Sequence, residues 1–202
     1  MSRPLKAIGL DLSLSATGVA STHASTGEPW LSTHTIYTDR SATRANIIDH
    51  ARLKLIYRPI LSLVLAVRPD VIGIEKPLLI AKGDTSIRLA ELHGFLKCWM
   101  DEKGFVYEDL DPNHVHQYGT GRGKAQKPEM LAAVTARYGP KDACNVLVGD
   151  HNAADALVCV AMVLDAHGQP LADKQGRAIE VPASHRKALS GRTWRELKAV
   201  SA

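Results

Sequence analysis

The chain opens with an apolar run, LKAIGLDLSL (residues 5–14), which has the length of one buried strand and is broken near its end by Asp11. TGVASTHAS (17–25) and WLSTHTIYT (30–38) read as two further strands. TGEP (26–29) supplies turn chemistry between them, so the first forty residues predict an antiparallel meander. Past DRSATR the period changes. Ile47, Ile48, Ala51, Leu55, Leu61 and Leu65 recur at helical spacing among Arg44, Arg52, Lys54 and Arg58, and Pro59 is expected to kink or divide that helix. RPDVIGIEKP (68–77) predicts a short strand with Glu75 near its end. DTSIRLAELHGFLKCWMDEKG (84–104) predicts a helix that Asp84 or Thr85 caps and Gly104 ends, and FVYEDL (105–110) predicts another strand. DPNHVHQYGTGRGKAQK (111–127) reads as a polar, glycine-rich loop, followed by a helix with Pro128 in its first turn. The last core helix spans about 151–166, where Asp150 and Asn152 are both good caps. The order β-β-β-α-β-α-β-α-α predicts an α/β fold: a mixed sheet with a leading antiparallel meander and helices on both faces.

Composition fits one globular domain of 202 residues, 45% hydrophobic and 23% charged. No apolar run reaches the length of a membrane span, and the N-terminus lacks a signal-peptide core. Cys98, Cys144 and Cys159 form no C-x-x-C pair, which predicts reduced thiols and a cytoplasmic location. Charge is uneven. Residues 1–167 are balanced, and the whole excess of +4 falls in 168–202, which divides the chain into a core domain and a basic C-terminal extension. SHRKALSGRTWRELKAV suggests a short helix with Trp194 and Leu197 on one face, and nucleic-acid contact through its cations slightly outweighs docking on the core.

Three acids stand out because each interrupts an apolar element: Asp11, Glu75 and Asp155. A buried carboxylate is costly without a positive partner, and nothing in the local sequence pairs Asp155. If the three converge, shared divalent cations with oxygen ligands resolve their repulsion. Two such ions about 4 Å apart suit phosphodiester cleavage. Each acid taken singly is more often a cap or an ion-pair partner; the three together favour metal. Within 118–127, YGTGRGKAQK, three glycines allow backbone amides near phosphate while Arg122, Lys124 and Lys127 supply charge. The Walker A order is absent.

IGLDLSLSATGVA resembles the first strand and turn of the RuvC-type Holliday junction resolvases, a branch of the RNase H-like nucleases. RLKLIY followed by RPDVIGIEKPLL is similar to that family's first long helix and acid-bearing strand. DTSIRLAELHG resembles the next helix, VHQYGTGRGKAQK the basic loop, and ADAL (154–157) the closing metal-site motif. The blocks keep their order over roughly residues 6–166, and the extension beyond them fits a phage-type member acting in a bacterial cell or an infected host. The resemblance implies an RNase H-like fold, a homodimer, and paired symmetric nicks in four-way DNA during recombination and repair. Asp11, Glu75 and Asp155 would ligate two Mg²⁺ ions (Mn²⁺ is an alternative), and Lys127 would meet the scissile phosphate.

The chain departs from the family pattern at three places. Asn152 stands where a fourth acidic or histidine ligand is common, three residues before the last acid. Asp150 and Asn152 are equal candidates for that ligand, with His151 behind them. Leu78 replaces an aromatic residue that stacks on junction bases, leaving an apolar wedge or simple packing as its role. His116 falls where a basic residue is frequent and reads as a loop residue. Two other classes remain: a same-fold nuclease for other branched or flapped DNA or for RNA, and a non-catalytic junction-binding protein. An actin-like ATPase needs two such domains, more than 202 residues supply.

Overall fold

The computed structural model describes residues 3–25, 28–38, 48–77 and 84–197. Strands β1 (Ala7–Asp11), β2 (Ala16–Ser25) and β3 (Glu28–Tyr37) form the expected meander. Helix α1 (Ile48–Val67), β4 (Val71–Glu75), α2 (Asp84–Glu102) and β5 (Tyr107–Leu110) follow. The sheet order is β3-β2-β1-β4-β5, with β1–β2 and β2–β3 antiparallel and β1–β4 and β4–β5 parallel. Helices α3 (Pro112–Thr120), α4 (Lys127–Tyr138) and α5 (His151–Ala166) complete the core, and a short α6 (Ala183–Arg186) runs into a 3₁₀ turn, Lys187–Leu189.

Strand alternation divides the sheet chemically. Ile8, Leu10, Ile72, Ile74 and Tyr107 face one side and pack with α1 and α2 through Ile56, Ile60, Val64, Leu92 and Leu96. The opposite face receives α5, which is buried from Asn152 to Asp165 because the sheet lies on one side of it and α3, α4 and the C-terminal segment cover the others. This helix approaches the sheet backbone to backbone. A Cβ on Gly9 would fall 2.0 Å from the Ala156 carbonyl oxygen, and one on Gly18 would fall 1.9 Å from that of Asn152. Only glycine leaves room at these two positions, and the closeness brings the first turns of α5 down onto the ends of β1 and β4.

Two segments of the core depart from expectation. Residues 112–120 form a helix rather than a loop: Asp111 caps it by accepting from the Asn113 amide, Pro112 opens it, and Val115, Tyr118 and Gly119 are buried. Gly119 serves packing, since a Cβ there would lie 2.4 Å from Met130 Sδ, so the open turn is confined to about 121–126. Helix α1 is not divided at Pro59, which sits on its exposed side. Its buried face is Leu53, Ile56, Ile60, Val64 and Val67, whereas Leu55 and Leu65 are 63% and 53% exposed. Arg44 and Ile47 lie outside the described residues.

The C-terminal extension docks on the core. Leu171, Ile179, Val181, Leu189, Trp194 and Leu197 pack against the α5-side cluster, and 193–197 is not helical. Its arginines have partners within the chain. Arg186 pairs with Asp165 at 2.6 Å, Arg192 with Glu108 at 2.7 Å and Arg177 with Asp173 at 2.8 Å, while Arg195 lies over the Tyr107 ring. Docking on the core, which the sequence placed second, is what the structure shows for this segment.

Candidate metal and nucleic-acid site

Asp11 ends β1 and Glu75 ends β4, two neighbouring parallel strands, and their side chains emerge on the face that α5 covers. Asp155 lies in the second turn of α5, above Gly9 and Gly18. Local sequence explains each placement. The apolar β1 and β4 are buried until their last residue, where the chain leaves the core. Asp150 fixes the start of α5 by accepting from the Ala153 amide at 2.9 Å, which sets the rotation of every later residue.

The electrostatics show that the three carboxylates share one environment. Burial raises Asp11 to about 6; Lys127 opposes the rise and Asp150 adds to it. Burial, then Asp11, raises Asp155 to about 8, again opposed by Lys127. Glu75 is pushed well above its usual value by burial, then by Asp11 and Asp155. Glu75 Oε2 and Asp155 Oδ1 are buried without a hydrogen-bond partner. No arginine or lysine forms an ion pair with any of the three among the described residues. Each is thus an acid held against its own charge, which divalent cations would relieve. Among the described residues no three histidine, cysteine or acidic side chains already surround a common point. The donor set is all oxygen and fits a hard cation, and it would have to draw inward on binding one.

Lys127, at the first position of α4, is the cation of the site. It opposes the rise of all three acids, and its Nζ lies 2.9 Å from His151 Nε2. Burial, then Lys127, lowers His151, so the neutral ring accepts from the ammonium. Asp150 is already engaged. Thr35 Oγ1 donates to it at 2.9 Å, the Tyr37 hydroxyl donates to its other oxygen, and these bonds with the Ala153 amide outweigh burial and leave it below its usual value. Asn152 is 8% exposed and stands three residues before Asp155, on the same side of α5. Arg122 and Lys124 sit on the exposed turn before α4; Arg122 pairs with Glu129 at 2.7 Å. His116 belongs to α3 rather than to a loop, and burial lowers it. Leu78 lies outside the described residues.

The sequence did not single out Thr35 and Tyr37, which hold Asp150. Their position on an alternating strand was visible, but the register that brings β3 beside the start of α5 was not.

A mixed sheet with a leading meander, carboxylates at the ends of two adjacent parallel strands and a third on the helix crossing above them define an RNase H-like fold with an acidic site at its strand ends. The family model described as crossover junction endodeoxyribonuclease RuvC matches residues 7–164, and the chain belongs to the RuvC family. A curated relative, the crossover junction endodeoxyribonuclease RuvC of Gloeobacter violaceus, is 33% identical over 111 residues. That match covers 52% of this chain and 64% of the relative's length. Two solved structures share the fold. Thermus thermophilus RuvC superposes with a TM-score of 0.58 at 17% identity, covering 83% of this chain and 99% of that one. The structure of T. thermophilus RuvC with a Holliday junction substrate gives 0.61 at 19% identity with the same coverage. Use of a divalent metal goes with the family. No described helix is long and apolar enough to cross a membrane.

Proposed function

We propose that this chain is a divalent-metal-dependent endodeoxyribonuclease that resolves four-way DNA junctions by paired symmetric nicks. The observation that carries the reading is the set of three buried carboxylates, Asp11, Glu75 and Asp155, brought from 64 and 80 residues apart to one face without a compensating ion pair among the described residues. Family membership and the junction named for the T. thermophilus relative supply the substrate class.

Asp11, Glu75 and Asp155 hold the metal, with Mg²⁺ the first choice and Mn²⁺ a substitute. Asn152 is favoured as a neutral fourth donor, because both oxygens of Asp150 are taken by β3 and by the cap. When bound, two Mg²⁺ ions supply the Lewis acidity that activates the attacking water and stabilises the departing 3′ oxygen. Lys127 neutralises charge gathering on the phosphate, and the neutral His151 keeps its ammonium directed at the site. Arg122 and Lys124 contact the DNA backbone, and that part of the affinity falls with salt. Leu78, following the β4 acid, is assigned an apolar contact at the junction centre.

Leu55 and Leu65 on α1 and Ile87 and Phe95 on α2 are exposed on the side of the sheet opposite the acids. They support a homodimer in which a two-fold axis presents two sites to two opposed strands. The reaction is assigned to the cytoplasm, with residues 1–167 as nuclease domain and 168–202 as extension.

Cleavage of a labelled synthetic four-way junction, run beside flapped and linear duplexes with Mg²⁺ or chelator, tests this. Symmetric cation-dependent nicks confined to the junction are expected. Equal cutting of flaps would replace the substrate class, and tight junction binding without cutting under either cation would leave a binding protein.

A further inference from the structure

Residues 168–197 lie beyond the stretch that matches the family, which ends at 164. They are fastened to the core on both sides of one residue, His185. After His185, Arg186 reaches Asp165, whose other oxygen accepts from the buried Tyr118 hydroxyl at 2.9 Å. Further on, Arg192 and the Arg195 amide both donate to the buried Glu108. Before His185, Leu171, Ile179 and Val181 are packed on the α5-side cluster.

His185 meets the end of α3. The last carbonyls of a helix lack partners within it. Here the Tyr118 carbonyl oxygen has His185 Nδ1 at 3.0 Å and accepts from Arg137 Nη1 at 3.3 Å. His185 Nδ1 also lies 3.1 Å from Arg137 Nη2. Either ring tautomer has a partner: a protonated Nδ1 donates to the carbonyl, and a bare one accepts from arginine. The other ring edge rests on Gly121, where a Cβ would lie 2.7 Å from His185 Nε2; Gly121 takes the left-handed conformation, φ 85°, that ends α3. Gln117 closes the junction, donating to the Gly121 carbonyl at 2.8 Å and to the Ser184 carbonyl at 2.9 Å. Lys127 follows six residues after Gly121, and the far end of that turn is fixed by a capping box of Gln126 and Glu129.

We infer that the C-terminal extension is a positioning strap: His185, with Gln117, fixes where α3 ends and thereby where the 121–127 turn delivers Lys127 to the carboxylates. His185 and Gln117 are positioning residues that act through Lys127. The inference rests on the nuclease reading for its catalytic consequence, though not for its structural one.

The test uses the full chain with His185→Leu, which keeps bulk and loses the hydrogen bonds, and His185→Asn, whose amide can replace Nδ1. Amide hydrogen exchange over 119–127 is measured without DNA, together with kcat and Kd on a four-way junction. In His185→Leu, exchange over 121–126 should quicken about fivefold or more while α5 stays protected. The kcat should fall about 5–20-fold with Kd within about twofold of the parent, since Lys127 acts mainly in the transition state. His185→Asn should lie within about twofold of the parent by both measures. Equal behaviour of the two variants, unchanged exchange over 121–126, or loosening of the whole chain in His185→Leu would each overturn the strap. Failure of the parent to cut any junction would instead remove the nuclease reading, with the exchange data still deciding the strap.

Discussion

Asp155→Asn is expected to stabilise the metal-free protein while abolishing its chemistry, and the two effects share one cause. Burial and Asp11 push Asp155 up to about 8, against an ordinary 3.8. Below about pH 4 the acid is protonated in both folded and unfolded chains and contributes nothing to pH dependence. As pH rises, the unfolded chain loses the proton first, so the folded state binds more protons and stability falls until the pH passes about 8. Because pH 7 lies roughly three units above the ordinary value and still below the raised one, the ceiling at that pH is ~4 kcal/mol at about 1.36 kcal/mol per unit. Asp11, Glu75 and Asp155 share protons among themselves, so roughly half of that, ~2 kcal/mol, is the expected difference. Asparagine carries no charge to bury. With about 2–4 °C per kcal/mol for a chain of this size, the variant should melt ~4–8 °C higher at pH 7 in chelator. The gap should close near pH 4.5 and widen towards pH 8. Added Mg²⁺ should raise the melting temperature of the parent and leave the variant nearly unmoved. Thermal unfolding followed by circular dichroism over this pH range is the assay. A variant that melts at or below the parent at pH 7, or a gap independent of pH, would refute the claim that the acids stand mutually uncompensated.

Lys127→Ala should lower junction cleavage by about 10²–10³-fold while leaving junction affinity within a few-fold, checked by single-turnover kinetics beside a binding titration. Gly18→Ala would place a methyl 1.9 Å from the Asn152 carbonyl oxygen and should prevent α5 from seating; Gly94→Ala, with open space at an exposed position of α2, should stabilise by up to ~1 kcal/mol. Denaturant unfolding of the two variants checks both signs. Arg192→Ala leaves Glu108, whose side chain is 4% exposed, without its cation and should cost about 3 kcal/mol in the same assay.

The site was more legible in the sequence than parts of the fold around it, and the difference has a physical basis. An acid within an apolar strand or helix contradicts its surroundings, so Asp11, Glu75 and Asp155 could be found without knowing what faced them. Helix α3 was hidden because glycine and polar residues make up most of 111–123, although Asp111 followed by Pro112 is a proper helix start. The buried face of α1 was misjudged because leucine, isoleucine and valine surround that helix, and periodicity cannot choose between two faces that both carry large apolar residues. The fourth donor stayed ambiguous for another reason: Asp150 and Asn152 are equivalent caps in isolation, and only the hydroxyls of Thr35 and Tyr37, more than a hundred residues earlier, separate them.

The glycine floor beneath α5 also bears on the order in which the protein is made. All five strands have been synthesised by Leu110, yet the helix that covers Gly9 and Gly18 ends at Ala166. At translation rates of about 5–20 residues per second, that sheet face waits ~3–11 s for its cover. No side chain at Gly9 or Gly18 can shield the strands meanwhile, because the space a side chain would fill is the space α5 will occupy. The nascent chain is therefore most open to chaperone binding and to mispairing during this interval. The same delay keeps Asp155 apart from Asp11 and Glu75 until nearly the whole family domain has left the ribosome.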